Sequence, residues 1–286
     1  MSRRKSRVEL TGQGRRAGGP TYAFLALVIL ILVFPLYYAV QIASVTTDNM
    51  YGWASFGNGH WSLLVQHLKA AFSELNFWPA LGNTIVVSGV CAISVEFFST
   101  LAGFSFSKLR FRGKGPLFVF IIATMAVPTQ LSVVPLYILM SKMGLFGTLP
   151  AVMIPGLVTA FGVFWMTQYL DQALPYELVE AARVDGCNLI STFWHVALPA
   201  ARPAAVMLGL FTLVAQWTQY YWPFLILGSN NKALLTVAAA TLRGGHFTDY
   251  TLIMSGVILT AFPLIVVFLV AGRQLVAGIM AGAVKG

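Results

Sequence analysis

Charged residues are scarce in this sequence: 9% of its 286 residues are Asp, Glu, Lys or Arg, and only nine are acidic. Soluble domains carry roughly 25% charged residues. With 58% hydrophobic residues and a mean hydropathy of +0.78, the chain cannot keep its surface in water and reads as a polytopic membrane protein. Cysteine is nearly absent. Cys91 falls in an apolar run and Cys187 in a polar one, which excludes a disulfide framework. No phosphate-binding glycine loop is present, since Gly113-Lys114-Gly115 lacks both the following Ser or Thr and the upstream glycine. The chain is therefore not expected to hydrolyse ATP. Paired carboxylates at catalytic spacing are missing, and no Ser/His/Asp or Cys/His set falls on one element. His195 near Cys187 reads as a loop residue, and His60 and His67 lack a third metal ligand. No enzyme is expected.

The net charge of +9 could suggest nucleic acid, but the basic residues sit in short loops and a tail flanking apolar runs. Residues 1–20 form a basic tail suited to anionic headgroups. Six spans follow, forming one domain over residues 21–286: Tyr22–Ile42, Thr84–Phe106, Leu117–Leu139 interrupted by Pro128 and Pro135, Leu149–Leu170, Ala204–Leu227 and Leu252–Ala271. The first has neither the short apolar core nor the cleavage site of a signal peptide and is expected to be retained. Residues 43–82 are rich in interfacial aromatics (Trp53, Phe56, Trp61, Phe77, Trp78), and 61–75 suit a helix lying on the membrane. Six spans put both termini on one side. That side carries 14 Lys and Arg against 4 opposite, so the positive-inside rule makes it cytosolic.

The same side holds the most polar segment of the C-terminal half, Pro175 to Pro199. Its chemistry predicts two short helices and a turn. Pro175 suits a first helical position, and Glu177 and Glu180 favour the positive end of the helix dipole. Gly186 can take a left-handed C-terminal conformation, Asn188 can cap the second helix, and Pro199 is expected to end it. From composition alone the segment is either a docking elbow or an ordinary interfacial loop.

Glu180-Ala181-Ala182, three residues, Gly186, nine residues and Val196-Ala197-Leu198-Pro199 resemble the EAA loop of bacterial ABC importer permeases, with Val196 replacing the usual isoleucine. Residues 107–114, 123–130, 135–148 and the terminal AGAVKG are similar to the carbohydrate-uptake branch, in particular the maltose-type second permease. The resemblance, over roughly residues 20–286, implies an all-α, six-span type I importer fold. It also implies a sugar or oligosaccharide substrate, a second homologous permease, a cytosolic ATPase dimer carrying ATP and magnesium, and an extracytoplasmic sugar-binding protein. This chain would bind no cofactor of its own. The implied ATPase-coupling residues are Glu180, Ala181, Ala182, Arg183, Asp185, Gly186, Leu198 and Pro199, with apolar contact from Leu178, Phe193 and Trp194.

Two readings remain open for the polar-aromatic run Gln216–Trp222. Trp217, Gln219, Tyr220 and Tyr221 could line a sugar path, or the run could be a helix interface with an aromatic belt. Related permeases commonly carry Asn-Asp where this chain has Thr218-Gln219. Glu96 is the one acidic residue well inside a span. It could line the path, pair with the partner permease, or make a structural contact. The alternatives in function are an ABC permease for glycerol phosphate or an amino acid, a self-sufficient secondary transporter, and a membrane scaffold.

Overall fold

The computed structural model describes residues 18–49, 59–228, 232–242 and 248–283. Within these residues it is built of helices and turns with no strand. Most of the basic N-terminal tail, Trp53 and Phe56, and the final Val284-Lys285-Gly286 lie outside the described residues. Among the described residues four helices are long and apolar enough to cross a membrane, and six crossings result if two bent helix pairs each count as one.

The first span is α1 (Gly19–Ala43), almost wholly exposed until Ala39, Ile42 and Ala43. The expected surface helix is α2 (Trp61–Glu74), tied back to α1 where His67 Nδ1 hydrogen-bonds the Ala43 carbonyl at 2.8 Å. The second span, α3 (Phe77–Lys108), runs seven residues further N-terminal than its apolar stretch. It is the spine of the molecule. Packed along it are α7 (Ala160–Ala173), which ends at the 175–199 segment, and α10 (Leu198–Thr218), which leaves from it. The α3–α7 approach is tight: a Cβ on Gly103 would lie 2.7 Å from Met166 Cβ and 2.8 Å from its backbone carbon. Small residues at crossings let membrane helices touch backbone to backbone.

The third span is broken, not kinked. Helix α4 (Lys114–Thr124) stops before Pro128, a 3-10 turn covers Thr129–Ser132, and α5 (Val133–Lys142) leaves at 90°. Pro128 takes an extended conformation, whereas Pro135 sits in the first turn of α5, where no amide donor is needed. The fourth span bends by 41° between a short α6 (Leu149–Met153), with its following turn at Ile154–Gly156, and α7. The fifth lies earlier in the chain than expected. It runs from α9 (Leu189–Thr192) through a widened π turn, Phe193–Ala197, into α10, and ends at Thr218. What had been its second half is a separate helix, α11 (Tyr221–Leu227). A further short helix, α12 (Leu235–Thr241), precedes the sixth span, α13 (Tyr250–Ala283).

Breaks inside an apolar bundle free backbone groups that water cannot reach. Polar side chains of α3 take up many of them. Ser94 Oγ donates to Leu157 O at 2.8 Å, Asn83 Nδ2 donates to Ala233 O at 3.3 Å, and Thr84 Oγ1 accepts from Leu235 N at 2.9 Å. Ser94, Asn83 and Thr84 thus match irregular elements around the helix, whereas Ser88, Thr100 and Ser105 bond carbonyls of α3 itself.

Candidate functional site

The 175–199 segment folds as its local chemistry predicts at the turn and differs at its second helix. Its first helix is α8 (Tyr176–Val184), with Pro175 at the capping position just outside it. At the far end Gly186 adopts φ +83°. Cys187 N donates to Ala182 O at 2.9 Å and Gly186 N donates to Arg183 O at 3.0 Å, the paired bonds of a Schellman cap. Asn188 Oδ1 then accepts from Ser191 N at 2.8 Å and starts α9.

Pro199 does not end the second helix. The π turn brings Leu198 N to Phe193 O, five residues back. That wider turn accommodates a proline that can neither donate to the carbonyl four residues before it nor tolerate it closely. The elbow therefore runs straight into the span, a rod of 30 residues from Leu189 to Thr218.

Burial divides the elbow into two faces. Val179, Phe193 and Ala197 belong to the core that joins α3, α7 and α10 through Phe104, Met166 and Leu208. Ala182 is buried as well, so of the expected small outer pair only Ala181 faces outward. Phe193, expected on the contact face, is 3% exposed and packs edge-on to Phe97. Leu198 is half-buried. Glu180, Arg183, Asp185, Gly186 and Pro199 are exposed, as are Leu178 and Trp194. Two residues that sequence reasoning passed over complete the apolar rim: Val184 is 87% exposed and Ile190 71%.

The basic turn after α3 braces the same elbow. Buried Lys108 donates from Nζ to Asp171 O at 3.0 Å, in the last turn of α7, and Arg110 lies 5.7 Å over the Tyr176 ring. A cation among the final carbonyls of a helix is favoured by its dipole.

At the opposite end of α4, α7 and α10 the helix breaks meet around a cavity of about 470 Å³. Gln130 comes from the turn between α4 and α5, Thr159 caps α7, Gln216 lies in the last turn of α10, and Gln219, Tyr220 and Tyr221 come from the break before α11. The Gln219 carbonyl left free by that break accepts from Thr236 Oγ1 at 2.9 Å. The polar-aromatic run thus sits at a break rather than inside a helix. Its members also separate. Gln219, Tyr220 and Tyr221 line the cavity. Trp217 turns away, 4% exposed among α12 and α13, and donates from its indole nitrogen to Thr260 O at 3.3 Å. Glu96 is not in the cavity wall either. Its carboxylate lies against α10, where a Cβ on Gly209 would stand 3.0 Å from Oε2.

Comparison with known proteins agrees with this architecture. Residues 97–277 match the family described as the binding-protein-dependent transport system inner membrane component. The arabinooligosaccharides transport system permease protein AraQ of Halalkalibacterium halodurans is 29% identical over 93% of this chain and 94% of its own length. The lactose transport system permease protein LacG of Rhizobium radiobacter is 28% identical over 92% and 95%. The sn-glycerol-3-phosphate permease UgpE of Yersinia pestis is 26% identical over 91% and 94%. The fold matches a chain from the crystal structure of a bacterial ABC transporter that imports the acidic polysaccharide alginate, with a TM-score of 0.73 at 20% identity, over 88% of this chain and 94% of that one. A chain with these relatives and these apolar helices is a multi-pass component of the plasma membrane and a transport subunit rather than an enzyme. Family match, relatives and fold coincide, and the chain belongs to the binding-protein-dependent transport system inner membrane components, the permeases of ABC importers.

Proposed function

We propose that this permease serves the import of a sugar or oligosaccharide and that the 175–199 elbow receives the motion of a cytosolic ATPase dimer. The supporting observation is the division of the elbow into two faces. Val179, Ala182, Phe193 and Ala197 weld it to the bundle, while Leu178, Val184, Ile190 and Trp194 are exposed beside Glu180, Arg183 and Asp185. An apolar rim studded with charge on a folded projection is the signature of a protein interface. The excess of basic residues on the elbow's side supports a cytosolic elbow. A second homologous permease and an extracytoplasmic sugar-binding protein complete the importer. ATP and magnesium are held by the ATPase, and this chain holds no cofactor.

A sugar is favoured by relatives named for arabinooligosaccharides and lactose. The second reading, a glycerol phosphate permease, rests on the likeness to UgpE. The test is a pull-down from gently solubilised native membranes, comparing the wild type with Gly186→Val and Glu180→Lys. The wild type is expected to bring down an ATPase, a second permease and a binding protein whose ligand is a sugar, and the variants to lose the ATPase alone. A wild-type chain that purifies by itself and still transports in vesicles refutes the proposal.

A further inference from the structure

We infer that the cavity at the three helix breaks is a binding station for an uncharged saccharide, so that this subunit itself touches the cargo. The inference rests on the importer reading and extends it to the chemistry of the substrate.

Among the described residues the lining contains no Asp, Glu, Lys, Arg or His. Its polar atoms are side-chain amides and hydroxyls: Gln130, Gln216 and Gln219 with Thr129, Ser132 and Thr159. Amides and hydroxyls both donate and accept hydrogen bonds, which is what a hydroxyl-covered neutral ring requires. Gln216 packs its amide against Gly156. A Cβ on Gly156 would lie 2.5 Å from its Nε2, so only a glycine there lets the amide pack so closely. Its Oε1 is buried without a hydrogen-bond partner among the described residues. Buried acceptors are rarely left unmatched, and one in a cavity wall points to a donor brought by a ligand.

The aromatic part of the wall has the geometry of a platform. The Tyr220 ring stacks on Phe224 with centroids 5.3 Å apart and planes within 19°, which fixes its orientation. Trp222 is anchored behind it by a bond from its indole nitrogen to Ala151 O at 3.2 Å. The volume lies within the roughly 300–1,000 Å³ typical of small-molecule sites.

Acidic cargo fits poorly. A carboxylate or phosphate taken out of water needs a cation or a charge-assisted donor, and none of the described residues lining this space supplies one. An acidic oligosaccharide and sn-glycerol-3-phosphate are therefore disfavoured as substrates, although both occur among the substrates named for similar proteins.

The test uses the complete complex reconstituted in vesicles with its binding protein. Uptake of radiolabelled lactose, raffinose and maltotriose is compared with uptake of digalacturonate and sn-glycerol-3-phosphate. Assembly with the ATPase is measured separately. A neutral sugar is expected to be the cargo. Gln219→Ala and Tyr220→Leu should each cut its uptake about tenfold, the loss from one ligand contact, with assembly intact. Tyr220→Phe should restore most of the rate by keeping the ring. Wild-type uptake by both truncations, or preference of the wild type for either anion, overturns the inference and leaves the importer reading standing. A wild type that never assembles with an ATPase overturns both.

Discussion

Replacing Gly186 tests the elbow most directly, because the effect can be worked from geometry alone. A Cβ at this position meets nothing within 4 Å, so sterics between elements contribute nothing. The penalty comes from the backbone, held at φ +83°. An L residue in the left-handed region costs about 1–2 kcal/mol, and β-branching worsens the clash. If the turn relaxes instead, it releases the Cys187 N to Ala182 O and Gly186 N to Arg183 O bonds, each contributing about 0.5–1.5 kcal/mol. Either route shifts the native elbow geometry by about 1–3 kcal/mol, roughly a 5- to 150-fold change in its population. Asparagine tolerates the left-handed region far better than other non-glycine residues. Coupling should therefore fall in the order Gly, Asn, Ala, Val. The assay is sugar uptake per ATP hydrolysed in reconstituted vesicles, with ATPase association followed by pull-down. Equal coupling in Gly186→Asn and Gly186→Val, both assembled, would refute the claim that turn conformation matters.

Three further outcomes follow from particular contacts. Lys108→Met should lower stability in detergent by about 1–2 kcal/mol, because a buried ammonium that caps the carbonyl end of α7 is lost. Asp171→Asn should change little, since that carboxylate is 67% exposed and stands 3.9 Å from the ammonium; an equal drop in Tm for both variants would contradict this. Gly103→Ala should destabilise by about 1–3 kcal/mol as α3 and α7 are forced apart, whereas Gly89→Ala, with nothing within 4 Å, should be neutral or slightly stabilising in the same thermal melt. Trp217→Phe should lose about 1 kcal/mol with its bond to Thr260 O yet leave the selectivity of uptake unchanged, and an altered substrate preference would return Trp217 to the transport path.

What could be read in advance was chemistry confined to a few neighbouring residues. The glycine at a left-handed turn and the asparagine cap at 188 each depend on atoms within five positions, and both stand where local stereochemistry puts them, while Pro175 caps α8 from one position before the first helical residue it was expected to be. Proline was harder. Pro128 breaks its span, Pro135 does nothing to its helix, and Pro199 is absorbed by a π turn. The difference lies in whether a distant partner or a local change of winding takes up the freed groups, and no short window records that. Trp217, for which two readings stood open, and Phe193 could not be placed for a related reason. Each lies among residues of similar composition, and only the packing of α12 and α13 against one, and of α3 against the other, decides which way the ring points.

The two candidate sites are joined by single pieces of secondary structure. The rod from Leu189 to Thr218 carries the second half of the elbow at one end and reaches the cavity through Gln216 at the other. It spans about 45 Å at 1.5 Å per residue. Helix α7 makes the same journey in reverse, from the Thr159 cap at the cavity to Ala173 before the elbow. A tilt imposed on the elbow therefore needs no relay of small side-chain shifts to change the cavity wall. Two helices already span the distance, and Phe193 and Ala197 fix the elbow to the core at the π turn. The unwound residues lie elsewhere, at 125–128 and 219–220, outside either rod. If the elbow drives transport, motion on loading should concentrate at those two breaks. Spin labels on α7 and α10 should keep their mutual distance while labels on α5 and α11 move relative to both; a change confined to the α7–α10 pair would show that the rods do not move as a unit.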